Sequence, residues 1–449
     1  MNLLPDKELT RGVLKISTPA VAGLSSQMVV SVVETAMVGR LENTEVVLAA
    51  MGLGMLATWA ITSFFSSLAT GVHVVVARRT GERDSRGAGH VLNNSLLLSL
   101  FLGAIVGAIG YAFSYNIINF FSSDPAVALE GTGYMKWRFI GLLFFLIVVS
   151  YRGFFNGIGH TEVFMYSAII INLTNIILNY LLIFGALGLP KMGLTGAGCA
   201  SAISNFIGCA FFVSATFLPS YRRTYRYYGS LNFSSKIISQ VVKIATPVSF
   251  QNILILLGFL VFVAITGMIG TAEQAASQVV ITALFMSFLP CFGFGIGAQT
   301  LVGQNIGNGN HALAKRFGFE AAKVATYFTV ALGAIFVLFP DAVIILITTN
   351  TAVTDIARPI LRLAGATQIF YAGGIVLAHA LQAAGATFYV MVIEVLTHWI
   401  IFLPICYLFG VGLGGGLIGA WLALPVYIVS YTLLIYLKYR KDSWLLMKV

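Results

Sequence analysis

Apolar runs separated by short polar or glycine-rich breaks fill this chain from end to end. Read as helices, they give twelve spans. The first six run roughly over Val13–Val38, Val46–Val76, Val91–Tyr115, Thr132–Phe155, Val163–Phe184 and Leu194–Leu218. The second six run over Val241–Thr266, Ala275–Val302, Phe319–Phe339, Pro359–Leu381, Tyr389–Phe409 and Leu417–Leu437. Each has about 20 residues or more, enough for a helix to cross a hydrocarbon core of about 30 Å. Ten-residue segments of alternating polarity are missing, which argues against a membrane β-barrel.

The pattern occurs twice. Leu14-Lys15-Ile16-Ser17-Thr18-Pro19 returns as Val242-Lys243-Ile244-Ala245-Thr246-Pro247, and at the same offset Gly39 falls on Gly267 and Glu45 on Glu273. Further on, Gly71 matches Gly297 and Gly81 matches Gly307. Gly159-His160-Thr161 matches Gly385-Ala386-Thr387, and Gly193-Leu194 with Gly196-Ala197 matches Gly416-Leu417 with Gly419-Ala420. Each copy has an even number of spans, so the copies share one orientation and form parallel repeats. We expect lobes of residues 1–222 and 223–449, separated by the polar connection Pro219–Lys236.

Composition agrees with a membrane protein. Hydrophobic residues make up 58% of the chain, charged residues 9%, and the mean hydropathy is +0.91. A soluble domain has about 25% charged residues. The net charge of +10 does not imply nucleic acid, because most of the 26 Lys and Arg fall at one set of helix ends. Arg78, Arg79, Arg83 and Arg86 follow helix two; Arg222, Arg223, Arg226 and Lys236 lie between helices six and seven. Lys315 and Arg316 follow helix eight, and Lys438, Arg440 and Lys441 follow helix twelve. By the positive-inside rule these ends and both termini are cytoplasmic, giving a multi-pass cytoplasmic (inner) membrane protein. No cleavable signal is expected, since Asp6, Lys7 and Glu8 precede an apolar stretch too long for one. The four cysteines lie singly in apolar segments and read as packing residues.

The copies differ in charge. Glu34 sits near the end of helix one, where the second copy has Phe262. Gln27, Ser31 and Glu34 share one helix face. A carboxylate within a span is costly and by default marks a site; the bland alternative is a residue that reaches water at the nearby end. Helix five adds a stripe of amides, Asn172, Asn175 and Asn179, able to meet a carboxylate or a cation, or simply to join helices. In helix eleven Glu394 and His398 stand at i and i+4, either as contacts for a cationic substrate or as a structural pair. Pro19 is either a bend point or an ordinary first-turn proline. Intramembrane arginine is sparse: Arg138, Arg152 and Arg362. No HExxH, GxSxG or close carboxylate pair within the spans points to an enzyme.

On these residues the chain resembles the multidrug and toxic compound extrusion (MATE) family of secondary transporters, in particular its prokaryotic DinF-like branch. The carriers are the Pro19 segment, Val33-Glu34-Thr35-Ala36-Met37-Val38-Gly39-Arg40-Leu41, Gly157-Ile158-Gly159-His160-Thr161, Asn175-Ile176-Ile177-Leu178-Asn179 and Gly193-Leu194-Thr195-Gly196-Ala197. The resemblance implies an all-α membrane fold of two six-helix lobes forming a V about a pseudo-two-fold axis. It implies export of organic, cationic and amphipathic compounds in exchange for H+ or Na+ by alternating access, without a cofactor or resident metal. Tyr134 and Ser201 would then complete the cation-coupling cluster of Glu34, Asn175, Asn179 and Gln27. Asn172, Glu394 and His398 are candidates for the substrate. The expected partners are the lipid bilayer and small organic substrates, with the chain a monomer. Relatives usually carry Asp at the position of Glu34 and often a second Asp at that of Asn179. With one carboxylate here, H+ is the favoured ion and Na+ the rival. A related flippase of lipid-linked saccharides is the neighbouring alternative.

Overall fold

The computed structural model describes residues 5–41, 44–122, 124–228 and 233–447, so residues 229–232 of the connection between the copies lie outside the described part. Among the described residues the secondary structure is helical, with no strand. Among the described residues, twelve helical spans are long and apolar enough to cross a membrane. They are α1 (Lys7–Val38), α2 (Thr44–Gly81), α3 (Ser85–Phe121), α4 (Pro125–Gly157), α5 (Thr161–Phe184), α6 (Gly193–Thr216), α7 (Ser235–Ile269), α8 (Thr271–Gly307), α9 (His311–Leu338), α10 (Thr351–Ala383), α11 (Thr387–Gly412) and α12 (Gly416–Arg440). The expected spans all appear, and most run longer than their apolar stretches. α3 has 37 residues, beginning with Ser85 and Arg86, so its polar end extends past what a hydrocarbon core of about 30 Å requires.

The duplication is visible in the details that start and stop helices. Asp84 accepts from the Gly87 amide at 2.8 Å to cap α3, and Asn310 accepts from the Leu313 amide at 3.1 Å to cap α9. Asp124 caps α4 through the Ala126 amide at 2.8 Å, and Asn350 caps α10 through the Val353 amide at 3.3 Å. These are matching positions of the two copies. Acid and amide serve alike because both offer an oxygen to an N–H that has no partner within the helix. Before the first pair of caps stand Arg83 and Gly309, both left-handed, with φ of 61° and 74°. Gly159 and Gly385 turn the chain after α4 and α10 at φ of 85° and 91°.

Contacts divide the chain into two compact units, one of Met1–Val21 with Phe250–Val449 and one of Ala22–Ser249. Both proline-bearing helices cross this division at matching places. α1 continues through Pro19 and changes unit after Val21; α7 continues through Pro247 and changes unit after Ser249.

In the unit Ala22–Ser249, α4 packs against α2, α3 and α6. Its core holds Val38, Met51, Tyr134, Phe139, Leu142 and Leu194. In the other unit α10 has the same place among α8, α9 and α12. Matching glycines bring the helices together. A Cβ on Gly107 of α3 would stand 2.9 Å from the Phe139 carbonyl oxygen of α4, and one on Gly333 of α9 2.5 Å from that of Gly365 on α10. Close backbone approach at small residues supplies dispersion contact where lipid gives no hydrophobic drive.

One departure from regular helix was not visible in the apolar pattern. α11 widens into π-helical turns at Thr397–Phe402 and Leu408–Gly412. Pro404 lies just past the first and has no N–H for the ordinary ladder, which favours such a local adjustment.

Candidate functional site

The unit Ala22–Ser249 holds an open cavity of about 360 Å3. α1 contributes Gln27, Ser31 and Glu34, α4 Arg138, α5 Asn172, and α6 Ser201 and Asn205. Trp59, Phe139 and Phe145 give it aromatic walls. The face of α1 inferred from its periodicity thus does line one space.

A hydrogen-bonded chain runs beside this cavity. Asn179 Nδ2 donates to Asn175 Oδ1 at 2.9 Å, and Asn175 Nδ2 donates to Ser201 Oγ at 3.3 Å. Ser201 Oγ also accepts from Arg138 Nη1 at 3.3 Å. The Arg138 guanidinium lies 5.8 Å from the Tyr134 ring centroid, within cation–π range. Asn172 Nδ2 ties α5 to α1 by donating to Ser26 Oγ at 2.6 Å. The expected cluster is therefore brought together: Gln27, Glu34, Asn172 and Ser201 on the cavity wall, with Asn175 and Asn179 linked to it through Ser201 and Tyr134 through Arg138.

Within this cluster, three buried polar atoms have no hydrogen-bond partner among the described residues: Glu34 Oε1, Tyr134 Oη and Asn179 Oδ1. Glu34 is 6% exposed, and Tyr134 and Asn179 are fully buried. Buried polar groups are nearly always paired, so three orphans in one cluster need an explanation. They include a carboxylate, a hydroxyl that can donate and an amide oxygen that can only accept. Such a set can exchange a proton or hold a small cation.

The second copy uses the same scaffold without the site. The counterparts of Glu34, Tyr134, Arg138 and Ser201 are Phe262, Ile360, Ala364 and Leu424, all buried in one hydrophobic cluster. The Phe262 ring centroid lies 5.2 Å from that of Phe402 and 5.4 Å from that of Trp421. Neither the charge nor the polar chain is needed to form this bundle.

Glu394 and His398 belong to the other unit and are not among the residues lining the Glu34 cavity. Both are buried. Glu394 Oε1 accepts from Tyr427 Oη at 2.5 Å, and the His398 ring packs edge-on to Tyr427 at 5.5 Å. A Cβ on Gly258 would come within 2.4 Å of the imidazole, so that glycine makes room for it.

Arg138 is the site residue whose place the sequence did not reveal. It follows Tyr134 by one helical turn, so a polar stripe on α4 was the available signal. Asn205 was also missed, one turn beyond Ser201 on α6; its Nδ2 donates to the Ser201 carbonyl at 2.8 Å.

The MatE family model matches twice, at residues 19–181 and 247–408, each match starting at the proline of the repeated segment. The chain is 25% identical over 447 residues to a probable multidrug resistance protein NorM of Thermotoga maritima, covering 99% of this chain and 95% of that one. It is 26% identical over 428 residues to the multidrug resistance protein NorM of Burkholderia vietnamiensis, covering 94% and 91%. An outward-facing multidrug resistance MATE transporter of the MOP superfamily superposes with a TM-score of 0.88 at 19% identity, over 96% of each chain. A MOP-superfamily transporter from Pyrococcus furiosus, described as having a binding pocket of reverse polarity, superposes at 0.87 with 19% identity over 96% of each. With both of its copies matched, this chain belongs to the MatE family and is a multi-pass membrane transporter rather than an enzyme.

Proposed function

We propose that this protein is a secondary antiporter that exports positively charged, amphipathic organic compounds in exchange for inward-moving H+, with Glu34 as the protonation site. It works in the cytoplasmic membrane with both termini inside, as a monomer whose lobes, residues 1–222 and 223–449, alternate access. The observation that carries the reading is Glu34 itself: a buried acid with an unpartnered oxygen, in a cavity that the second copy fills with Phe262 and its neighbours.

A carboxylate that leaves water favours its protonated form, and nearby hydrogen bonds decide which form is held. Tyr134 Oη is a free donor for the carboxylate, and Asn179 Oδ1 a free acceptor for the protonated acid. The ionised carboxylate also draws a substrate cation into the cavity. Proton and substrate then compete for one charge, which is the differential binding that coupling requires. The single acid on the cavity wall favours H+ over Na+ in this scheme, because one carboxylate attracts Na+ weakly and the ion must also shed its hydration shell.

The test is transport by purified protein in liposomes, with a pH or a Na+ gradient imposed one at a time. Glu34→Gln keeps the size and much of the hydrogen bonding but cannot titrate; export driven by the pH gradient should fall to near background in folded protein. Glu34→Asp should retain part of it. Normal uphill export by Glu34→Gln would refute the assignment. Wild-type export that follows the Na+ gradient alone would replace H+ by Na+ as the driving ion.

A further inference from the structure

The proposed proton site uses one charge of the cavity and leaves the other without a role. Among the described residues lining the cavity, Glu34 is the only acid and Arg138 the only base. They face the same space, yet no hydrogen bond or ion pair within 4.0 Å joins them. Arg138 spends one N–H on Ser201 and lays its guanidinium near the Tyr134 ring, and Glu34 Oε1 has no partner. Both charges are thus held apart by the scaffold and both can receive a ligand group.

This arrangement discriminates among ligand charges. A plain organic cation is attracted by Glu34 and repelled by Arg138; a plain anion meets the reverse. A molecule with both signs satisfies both groups, and a guanidinium offers a carboxylate two parallel N–H donors. The cavity's 360 Å3 lies in the range of small-molecule sites, and Trp59, Phe139 and Phe145 offer apolar walls for the body of such a molecule. We infer that, among the positively charged compounds proposed above, the cavity selects those that also carry an anionic group, amphipathic zwitterions, binding an ammonium group at Glu34 and a carboxylate at Arg138. Arg138 is then the specificity-determining residue. The inference rests on the reading of this cavity as the substrate site and fits exchange with H+, since a proton on Glu34 leaves the wall net positive and expels the ammonium end.

The experiment uses a matched trio built on one flat aromatic body: an amino acid-type zwitterion, its methyl ester (cation only) and its N-acetyl derivative (anion only). Equilibrium binding to the purified full-length protein is measured at one mildly alkaline pH. The zwitterion should bind about tenfold to a hundredfold more tightly than either derivative, the worth of one charge-assisted hydrogen-bonding group. Arg138→Gln should erase the preference over the ester, and Glu34→Gln the preference over the N-acetyl compound. Arg138→Lys, which keeps the charge and loses the fork, should retain a reduced preference, and it serves where Arg138→Gln does not fold. Equal wild-type binding of zwitterion and ester overturns the inference, as does an unchanged ratio in Arg138→Gln. Because binding is read without a gradient, such a failure leaves the proton role of Glu34 intact. Loss of proton-driven export in Glu34→Gln is a separate result.

Discussion

Replacing Gly54 by alanine, with Gly52→Ala as its control, tests whether the buried Tyr134 ring is locked in place under the polar cluster. Both glycines lie within the helix Thr44–Ser66, two residues apart. A Cβ at Gly52 meets nothing within 4 Å. A Cβ at Gly54 would stand 2.8 Å from Tyr134 Cδ1 and 3.1 Å from Cε1, and the ring has no exposed edge along which to yield. Alanine in a helix gains about 1 kcal/mol over glycine, and this gain is common to both variants. It cancels in their difference, which leaves the overpacking cost, about 1–3 kcal/mol. Gly52→Ala should therefore be as stable as the parent or more so, and Gly54→Ala less stable than Gly52→Ala by that amount. Thermal unfolding in detergent can be followed with a thiol-reactive dye, since Cys199, Cys291 and Cys406 are free and buried. Gly54→Ala should also weaken ligand binding, because the displaced ring is the surface near which Arg138 lies, 5.8 Å from its centroid. Equal melting temperatures and equal binding for the two variants would falsify this account of Tyr134.

Other expectations follow from the same structure. Asn310→Ala and Asp84→Ala should each cost about 1 kcal/mol of stability, since each removes the side-chain cap of its helix; Asn310→Asp should keep it, and a melting series that ranks Asn310→Asp with Asn310→Ala would reject the capping role. Arg83→Gly should raise the melting temperature slightly, because the left-handed φ of 61° strains a residue with a Cβ and the second copy already has Gly309 there. Asn179→Asp sets a second carboxylate in the cluster of Glu34; transport assays should then show some Na+ stimulation or an alkaline shift that the parent lacks. Cysteine-accessibility labelling should find residue 83 and residue 191 on opposite faces of the membrane, and finding both on one face would overturn the proposed orientation.

Much of the architecture was legible because the bilayer imposes it. A helix must be about 20 apolar residues long to span the core, so length and hydropathy alone define the spans. The duplication could be read at Pro19 and Pro247, each inside the first helix of its copy, and at Gly159 and Gly385, because left-handed turns tolerate few other residues. It was not read at the caps. Asp84 and Asn310 look different in sequence and do the same work in structure, since capping asks only for a short side chain with an accepting oxygen. The π-helical turns of α11 were hidden because local hydropathy carries no record of which carbonyl an N–H chooses.

The site was half legible for a related reason. Glu34 stands out in any apolar stretch, and the Asn stripe repeats at helical spacing, so both could be found from one helix at a time. Arg138 required knowledge of which face of α4 turns toward α6, and that is a property of packing. Gly198 decides it locally. A Cβ there would lie 2.5 Å from the Tyr134 carbonyl oxygen, so only a glycine lets α6 come close enough for Ser201 to reach Arg138 and Asn175. In the second copy the same helices meet around Phe262, Ile360, Ala364 and Leu424, and the space closes with apolar side chains. The two halves therefore differ less in how they fold than in what the shared fold leaves at its centre. Removing the polar cluster from the first half by the second half's residues (Glu34→Phe, Tyr134→Ile, Arg138→Ala and Ser201→Leu together) should leave a folded, packed bundle that no longer binds substrate. Binding that survived those four changes would move the substrate site out of this cavity.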